Sequence, residues 1–272
     1  MKIGYYIKKT ALQQDSRVTS VLGELEAAGV ELYQVHCEKC VRDGSDMLLS
    51  FGGDGTFLSA ARFVAQAGIP IMGVNFGRMG FLSENRPEDV VKPLLAEEYS
   101  IEERDLLHLV LPEDAGIDIW PYALNELSLH RTGAEMVGVD VSIGDAALPT
   151  YWADGLLVAT SSGSTAYNLS AGGPICTPSA NVLLLTPIAP HNLSLRPLVL
   201  PTDVVLRLSA RSRTGNVTLT LDNRVCTIPD SISLEVRLAP FKLKTVRLGK
   251  PNFIDALRSR FFWGQDVRNS AE

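Results

Sequence analysis

Apolar positions in the first hundred residues switch between two periodicities. Lys2 to Ile7 is a short β-type run, and from Asp15 to Gly29 the residues Val18, Val21, Leu22, Leu25 and Ala28 fall on one helical face. Gly29 closes that helix, and Val30 to Val35 starts another extended segment. Met47 to Phe51 is an apolar run of the kind a strand covered on both faces carries. Helical spacing resumes after Gly52–Thr56 with Phe57, Leu58, Ala61, Phe63 and Val64, and Gly68 ends it. Ile69 to Val74 predicts the next strand, and Val90, Val91 and Leu94 predict a helix after Pro87. Strands alternating with helices predict a parallel sheet flanked by helices.

Beyond about Ser100 the pattern changes. Apolar and β-branched runs recur at Leu106–Leu111, Val137–Ile143, Leu156–Thr160, Val182–Thr186, Val204–Ser209, Val217–Leu221, Ile232–Leu238 and Lys242–Leu248. Turn-forming residues separate most of them, which predicts antiparallel sheets in a sandwich. Phe253, Ala256, Leu257 and Phe261 predict an amphipathic helix over Asn252–Trp263. The expected organisation is an α/β domain with a parallel sheet over 1–100, an all-β sandwich-like, substrate-binding domain over 101–249, and a C-terminal helix in 250–272 that returns to the first domain.

Composition narrows the function classes. With 46% hydrophobic and 21% charged residues, the 272-residue chain has a globular balance, and its formal net charge of −6 provides no field to attract nucleic acid. A phosphorylated ligand must therefore find local donors, such as backbone N–H groups or single Arg and Lys residues. Met1–Ile7 lacks the features of a secretory signal, and stretches such as Val182–Leu185 are too short to span a bilayer, so the expectation is a cytoplasmic protein without a membrane partner. Four scattered cysteines do not make a disulfide framework. Cys37 and Cys40 form a C-x-x-C beside His36, but no second close pair completes a zinc set, and the reading is reduced, structural thiols.

The chemistry is concentrated at Gly52-Gly53-Asp54-Gly55-Thr56, between a buried strand and a helix. Ligands of α/β sheets collect at the carboxyl ends of strands, glycines allow close backbone approach, and the N–H groups of a helix start favour phosphate oxygens. Asp54 sets a carboxylate beside that anion site, which suits binding a metal ion or accepting a proton. A bare Gly-Asp-Gly would read as a turn with Asp54 as N-cap; the complete pentapeptide at this junction points to phosphoryl transfer. There is no G-x-x-x-x-G-K-[ST], and the first βα turn, Lys8-Lys9-Thr10, has no glycine, so neither common nucleotide-binding device is present.

The pentapeptide resembles the signature shared by NAD kinases, diacylglycerol and sphingosine kinases and 6-phosphofructokinases. Three later segments choose among them: Asn125-Glu126, then Asp154-Gly155 leading to Gly163-Ser164-Thr165-Ala166-Tyr167, and Thr186-Pro187-Ile188-Ala189-Pro190-His191. Their order and spacing resemble the NAD kinase family. The polar Ser161–Ser170 segment argues against the wide apolar channel of a lipid kinase, and the presence of Asp54 against a silent NAD-binding regulator. Physically, the hydroxyls of Ser162, Ser164, Thr165 and Ser170 and the flat ring of Tyr167 suit a nucleotide, Asn125 suits an adenine edge, and Glu126 can accept from ribose hydroxyls.

The resemblance implies an enzyme that transfers the ATP γ-phosphoryl group to the 2′-hydroxyl of the adenosine ribose of NAD, giving NADP, with Mg²⁺ as the expected divalent cation and its ligands left open. It implies Asp54 as general base with Gly55 beside the substrate, Asn125 and Glu126 on nucleoside groups, and Asp154 with Ala189 at the nicotinamide side. Thr165, Ala166, Tyr167, Asn168, Leu169 and Ser170 would line the adenosine pocket, and Phe81 and Asn223 would stand near the ligand. Trp152 takes a substrate-side position where many relatives carry a basic residue, and Ser161 one where relatives often carry Pro. The family also implies a homodimer or homotetramer.

Overall fold

The computed structural model describes residues 1–77, 80–249, 253–261 and 263–264, and the chain divides into two units: residues 1–103 with the segment from 243 onward, and residues 104–242. The first unit opens with β1 (Lys2–Ile7), α1 (Ser16–Ala27), β2 (Glu31–Gln34), β3 (Met47–Phe51), α2 (Asp54–Val64), β4 (Ile71–Val74), the short α3 (Val91–Leu95) and β5 (Tyr99–Arg104). Strands β2, β1, β3 and β4 are parallel neighbours in that order. Every residue of β3 and β4 is buried, as their apolar runs require. Helix α1 starts where the Asp15 carboxylate accepts from the Arg17 N–H at 2.9 Å. Val18, Val21 and Leu25 turn inward, a burial that stabilises by roughly 1.5–3 kcal/mol per side chain. Ala28, expected on that face, is exposed.

The second unit is all-β apart from the 3₁₀ turn Ser162–Thr165 and the one turn of α-helix that follows it. Its elements are β6 (Leu107–Val110), β7 (Tyr122–Ala123), β8 (Glu126–Arg131), β9 (Val137–Ile143), β10 (Ala146–Ala147), β11 (Tyr151–Ala153), β12 (Gly155–Thr160), α4 (Tyr167–Ser170), β13 (Val182–Ile188), β14 (Leu198–Pro201), β15 (Leu206–Arg211), β16 (Asn216–Leu221), β17 (Arg224–Pro229) and β18 (Ser233–Leu238). One sheet runs β10-β9-β15-β18-β6-β7, with β11 on β9; the other runs β14-β13-β12-β8-β16-β17. Alternate residues from both sheets, among them Val139, Val141, Leu208 and Val236 from the first and Leu129, Val158, Leu185 and Leu219 from the second, share one core. This is the sandwich expected from the sequence.

The last strand corrects one assignment. Leu243–Leu248, grouped by its sequence pattern with the second domain, is β19 of the first sheet, between β4 and β5 and parallel to β4 at Thr245 and Ile71. A six-residue apolar run does not encode which sheet it joins. Helix α5 (Phe253–Phe261) then follows within the first unit, and its Phe253 and Phe261 rings meet Phe81. The ends of the predicted 250–272 segment, including Asn252, lie outside the described residues.

A second correction concerns the thiols. Cys37 and Cys40, read as reduced, are joined in a disulfide across the 3₁₀ turn Glu38–Cys40 that follows β2, with Cα atoms 5.3 Å apart. A C-x-x-C spacing is compatible with either redox state, and it is the fold of the turn that brings the two sulfurs together.

Candidate active site

Strand β3 ends at Phe51 and hands the chain to Gly52, whose φ of 151° suits a residue without a side chain. A Cβ at Gly52 would run into the Thr56 side chain. Gly53 is the N-cap of α2 and Asp54 its first residue, so Asp54 does not cap the helix, and its carboxylate is turned to another segment. Oδ2 accepts from the Phe81 N–H at 2.9 Å, and Oδ1 from those of Leu82 at 3.2 Å and Ser83 at 2.8 Å. A carboxylate has about four acceptor positions, so this cradle leaves about one for a proton or cation. The segment can wrap so closely because residue 80 is glycine; a Cβ there would collide with the Asp54 carboxylate.

Side chains from β4 onward hold the cradle. Asn75 donates to the Ser83 carbonyl at 2.7 Å and accepts from the Gly77 N–H at 2.7 Å, while Asn85 donates to the Gly73 carbonyl at 3.0 Å. Behind it stand two largely buried guanidinium groups. Arg247 of β19 pairs with Glu84 and, at 3.2 Å, with Glu102; Arg260 of α5 pairs with Glu84 at 2.9 Å and lies 4.7 Å above the Phe81 ring. Burial, and then the like charge of Arg260, push Arg247 down to about 10, with Asp54 acting in the opposite direction. Burial likewise lowers Arg260, again opposed by Asp54. The cradle therefore joins Asp54 and Phe81, and Gly55 is exposed beside them on α2.

In the second unit a different carboxylate organises the backbone. Asp222, on the two-residue hairpin loop between β16 and β17, has φ of 50° and a side chain 4% exposed. It accepts from the N–H groups of Leu124 at 2.9 Å, Asn125 at 2.8 Å and Glu126 at 3.3 Å. That bend buries both Asn125 and Glu126. Glu126 Oε2 is buried without a hydrogen-bond partner. Burial, and then the neighbouring Asp222 carboxylate, push Glu126 up to about 8, against the lowering effect of the Tyr167 backbone N–H. Burial also raises Asp222, and the backbone donors and Arg224 counter it.

The glycine and hydroxyl segment after β12 folds over this bend. Thr160 Oγ1 donates to the Leu124 carbonyl at 2.6 Å and accepts from the Gly163 N–H at 3.1 Å. Asn168 is fully buried; its amide donates to the carbonyls of Ser164 and Pro174 and accepts from Thr186, so it fastens the segment to itself and to β13. Thr165, Ala166 and Leu169 are half-buried, whereas Tyr167 and Ser170 are exposed. The Tyr167 ring stacks on His130 at 5.7 Å, and the phenol lies within electrostatic range of both Glu126 and Asp154. Asp154 is held by Arg131 at 2.7 Å. Trp152 and Ala189 are exposed; Trp152 lines a surface cavity of about 720 Å³ with Met136, His191, Arg211 and Arg213. Asn223 is the exposed neighbour of Asp222.

The sequence-predicted residues thus form two groups: Asp54, Gly55 and Phe81 in the first unit, and the Asn125–Glu126, Asp154 and Thr165–Ser170 set with Tyr167 at its centre in the second. Sequence reasoning passed over Gly80, Asp222, His130, Arg131, Arg247 and Arg260. For Asp222 a signal existed, since Asp-Asn between two β-type runs marks a tight hairpin. Arg247 and Arg260 carried none, because an isolated arginine on an apolar run reads as a solvated edge.

Comparison with known proteins covers both units. The family model described as the ATP-NAD kinase N-terminal domain matches residues 6–97, and the one described as the ATP-NAD kinase C-terminal domain matches residues 124–248. A curated NAD kinase of Bacteroides fragilis is 42% identical over 228 residues, covering 82% of this chain and 78% of that protein. That of Porphyromonas gingivalis is 38% identical over 289 aligned positions, covering 98% and 99%. Among solved structures, yeast NADH kinase complexed with NADH superposes with a TM-score of 0.85 at 24% identity, covering 98% of this chain and 89% of that one. An NAD kinase from Archaeoglobus fulgidus in complex with ATP gives 0.78 at 24%, covering 96% and 98%. At that identity these two speak for the fold.

Two outcomes follow from this geometry. Gly80→Ala should lower stability by about 1–3 kcal/mol in urea unfolding, the usual cost of forcing a methyl group into filled space; an unchanged midpoint would mean the cradle is loose. Glu126 binds its proton more tightly folded than unfolded, so its contribution is complete below its ordinary value of 4.5 and is lost as pH rises through about 8. Stability relative to Glu126→Gln should therefore fall across that window, and parallel pH profiles for the two proteins would remove the buried-acid assignment.

Proposed function

The chain belongs to the NAD kinase family and its activity is the phosphorylation of NAD to NADP, and from that premise we propose that Asp54 is the catalytic carboxylate and the Asn125–Ser170 residues recognise the dinucleotide. The observation that carries the assignment is the three-N–H cradle, which orients one carboxylate at the start of α2 with an acceptor position to spare. In the proposed step the ribose 2′-oxygen attacks the γ-phosphorus of ATP in line. Asp54 takes the hydroxyl proton, the bond to the β-phosphate oxygen breaks, and ADP leaves. The start of α2, at the carboxyl end of β3, is where the phosphate oxygens of ATP would lie.

A divalent cation travels with ATP in this chemistry. With three of its acceptor positions taken by the cradle, the Asp54 carboxylate keeps its spare position for the hydroxyl proton, so the cation's ligands would come mainly from ATP oxygens and water. When bound, such a cation neutralises charge on the phosphates.

For the dinucleotide, support comes from the exposed Tyr167 face backed by His130, and from the unpartnered Glu126 oxygen, which a ribose hydroxyl would satisfy. Asp154, steadied by Arg131, serves the nicotinamide side with Ala189, and Trp152 and Asn223 border the same ligand. The half-buried Thr165, Ala166 and Leu169 and the exposed Ser170 form the pocket wall, and Asn168 keeps that wall in place. Assembly as a homodimer or homotetramer belongs to the same reading, favoured by the exposed apolar side chains of Met136, Trp152 and Leu193. Among the described residues no helix is long and apolar enough to cross a membrane, which accords with the proposed cytoplasmic location.

Asp54→Asn keeps the size and shape of the side chain but loses the base and one of the two acceptor oxygens of the cradle. Turnover in a coupled NADP assay should fall by about 10²–10⁴-fold while circular dichroism stays native, and near-wild-type turnover would refute the role. Tyr167→Ala should raise the KM for NAD and leave that for ATP in place; an unchanged KM for NAD takes the ring out of the pocket.

A further inference from the structure

Cys37 and Cys40 take no part in the chemistry proposed above. They bracket the 3₁₀ turn after β2, both half-buried, and their Cα separation of 5.3 Å lies in the range of an unforced disulfide. The exposed His36 brings its Nε2 to 3.3 Å from Cys40 Sγ. The remaining cysteines, Cys176 and Cys226, are free and separate from each other in the second unit. Burial raises both of those thiols, which disfavours their nucleophilic thiolate form.

We propose that Cys37 and Cys40 form a reversible dithiol–disulfide site that exchanges with low-molecular-weight disulfides, with His36 as the positioning residue for Cys40. Three features converge. The C-x-x-C spacing makes ring closure short and local. Neither sulfur is sealed in the core, so a small disulfide can reach the pair. An imidazole at hydrogen-bond distance favours the thiolate, which is the attacking species.

In the oxidation step the Cys40 thiolate attacks one sulfur of a small disulfide, forming a mixed disulfide and releasing one small thiolate. The Cys37 thiolate then attacks Cys40 Sγ, closing the internal bond and releasing the second. Two cysteine thiols are oxidised, one small disulfide is reduced to two thiols, and the two cysteine protons pass to the released thiolates. Reduction runs the same sequence backwards.

The test uses the full chain equilibrated in buffers of reduced and oxidised glutathione, quenched, denatured and labelled with N-ethylmaleimide for intact-mass analysis. All four cysteines should label at the reducing end and two at the oxidising end, with Cys37 and Cys40 identified by peptide mapping as the pair protected. Cys37→Ser should stop at a lasting glutathione adduct on Cys40. His36→Gln, placed in the Cys37→Ser chain, should slow formation of the Cys40 glutathione adduct several-fold, whereas a merely structural histidine would leave that rate alone. Four labelled thiols at every ratio, or glutathione adducts on the unaltered chain in place of the internal bond, would overturn the proposal. No readout uses NADP formation, so failure here leaves the role of Asp54 to its own test.

Discussion

Three backbone N–H groups converging on the Asp54 carboxylate are the contact around which the first unit is arranged. A carboxylate partly withdrawn from water is costly unless its oxygens are satisfied, and here residues 81–83 satisfy them from a segment 27 to 29 residues away. That demand explains the glycine at 80, the paired asparagines at 75 and 85 that hold the segment, and the guanidinium–carboxylate cluster behind it. Arg247 arrives on the last strand of the sheet and Arg260 on the helix after it. The chain end is thus drawn back into the unit where it is needed.

The second unit repeats the device with different consequences. Asp222, on a hairpin tip, gathers the three N–H groups of residues 124–126 from nearly a hundred positions away. The bend it imposes carries Asn125 and Glu126 inward and leaves one Glu126 oxygen without a donor. Native structures seldom leave such an atom buried, and when they do the site is often functional. Burial, and then the neighbouring Asp222 carboxylate, keep Glu126 protonated over a range where a surface glutamate is charged. Two units with unrelated architectures have therefore adopted one solution: a carboxylate that accepts from consecutive backbone amides and so fixes a loop without regular secondary structure.

Rigidity and chemistry divide along the same lines. Asn168, within the segment proposed to line the adenosine pocket, commits its amide to Ser164, Pro174 and Thr186, while its neighbour Tyr167 presents a ring supported by His130. One residue keeps the segment folded so that the next can present a face. Surfaces that bind small molecules need such saturated partners, because a ligand-facing group is useful only if its support does not compete for it.

Much of this was legible from the chain alone. The strand and helix runs of the first hundred residues, the antiparallel series after them, the Gly52–Thr56 turn and the Asn125, Asp154 and Tyr167 segments are local patterns, set by side-chain period and turn chemistry within a few residues. Fold class and family followed from these. What local pattern cannot carry is the choice of a distant partner. Gly80 is one glycine among 22 until the Asp54 carboxylate is seen against it, and Asp222 is a turn residue until its three amides arrive. Leu243–Leu248 is an apolar run that either sheet could have accepted, and the C-x-x-C reads equally as two thiols until the turn closes it. Those decisions belong to the tertiary structure, because burial and hydrogen-bond satisfaction are properties of the assembled core rather than of any single segment.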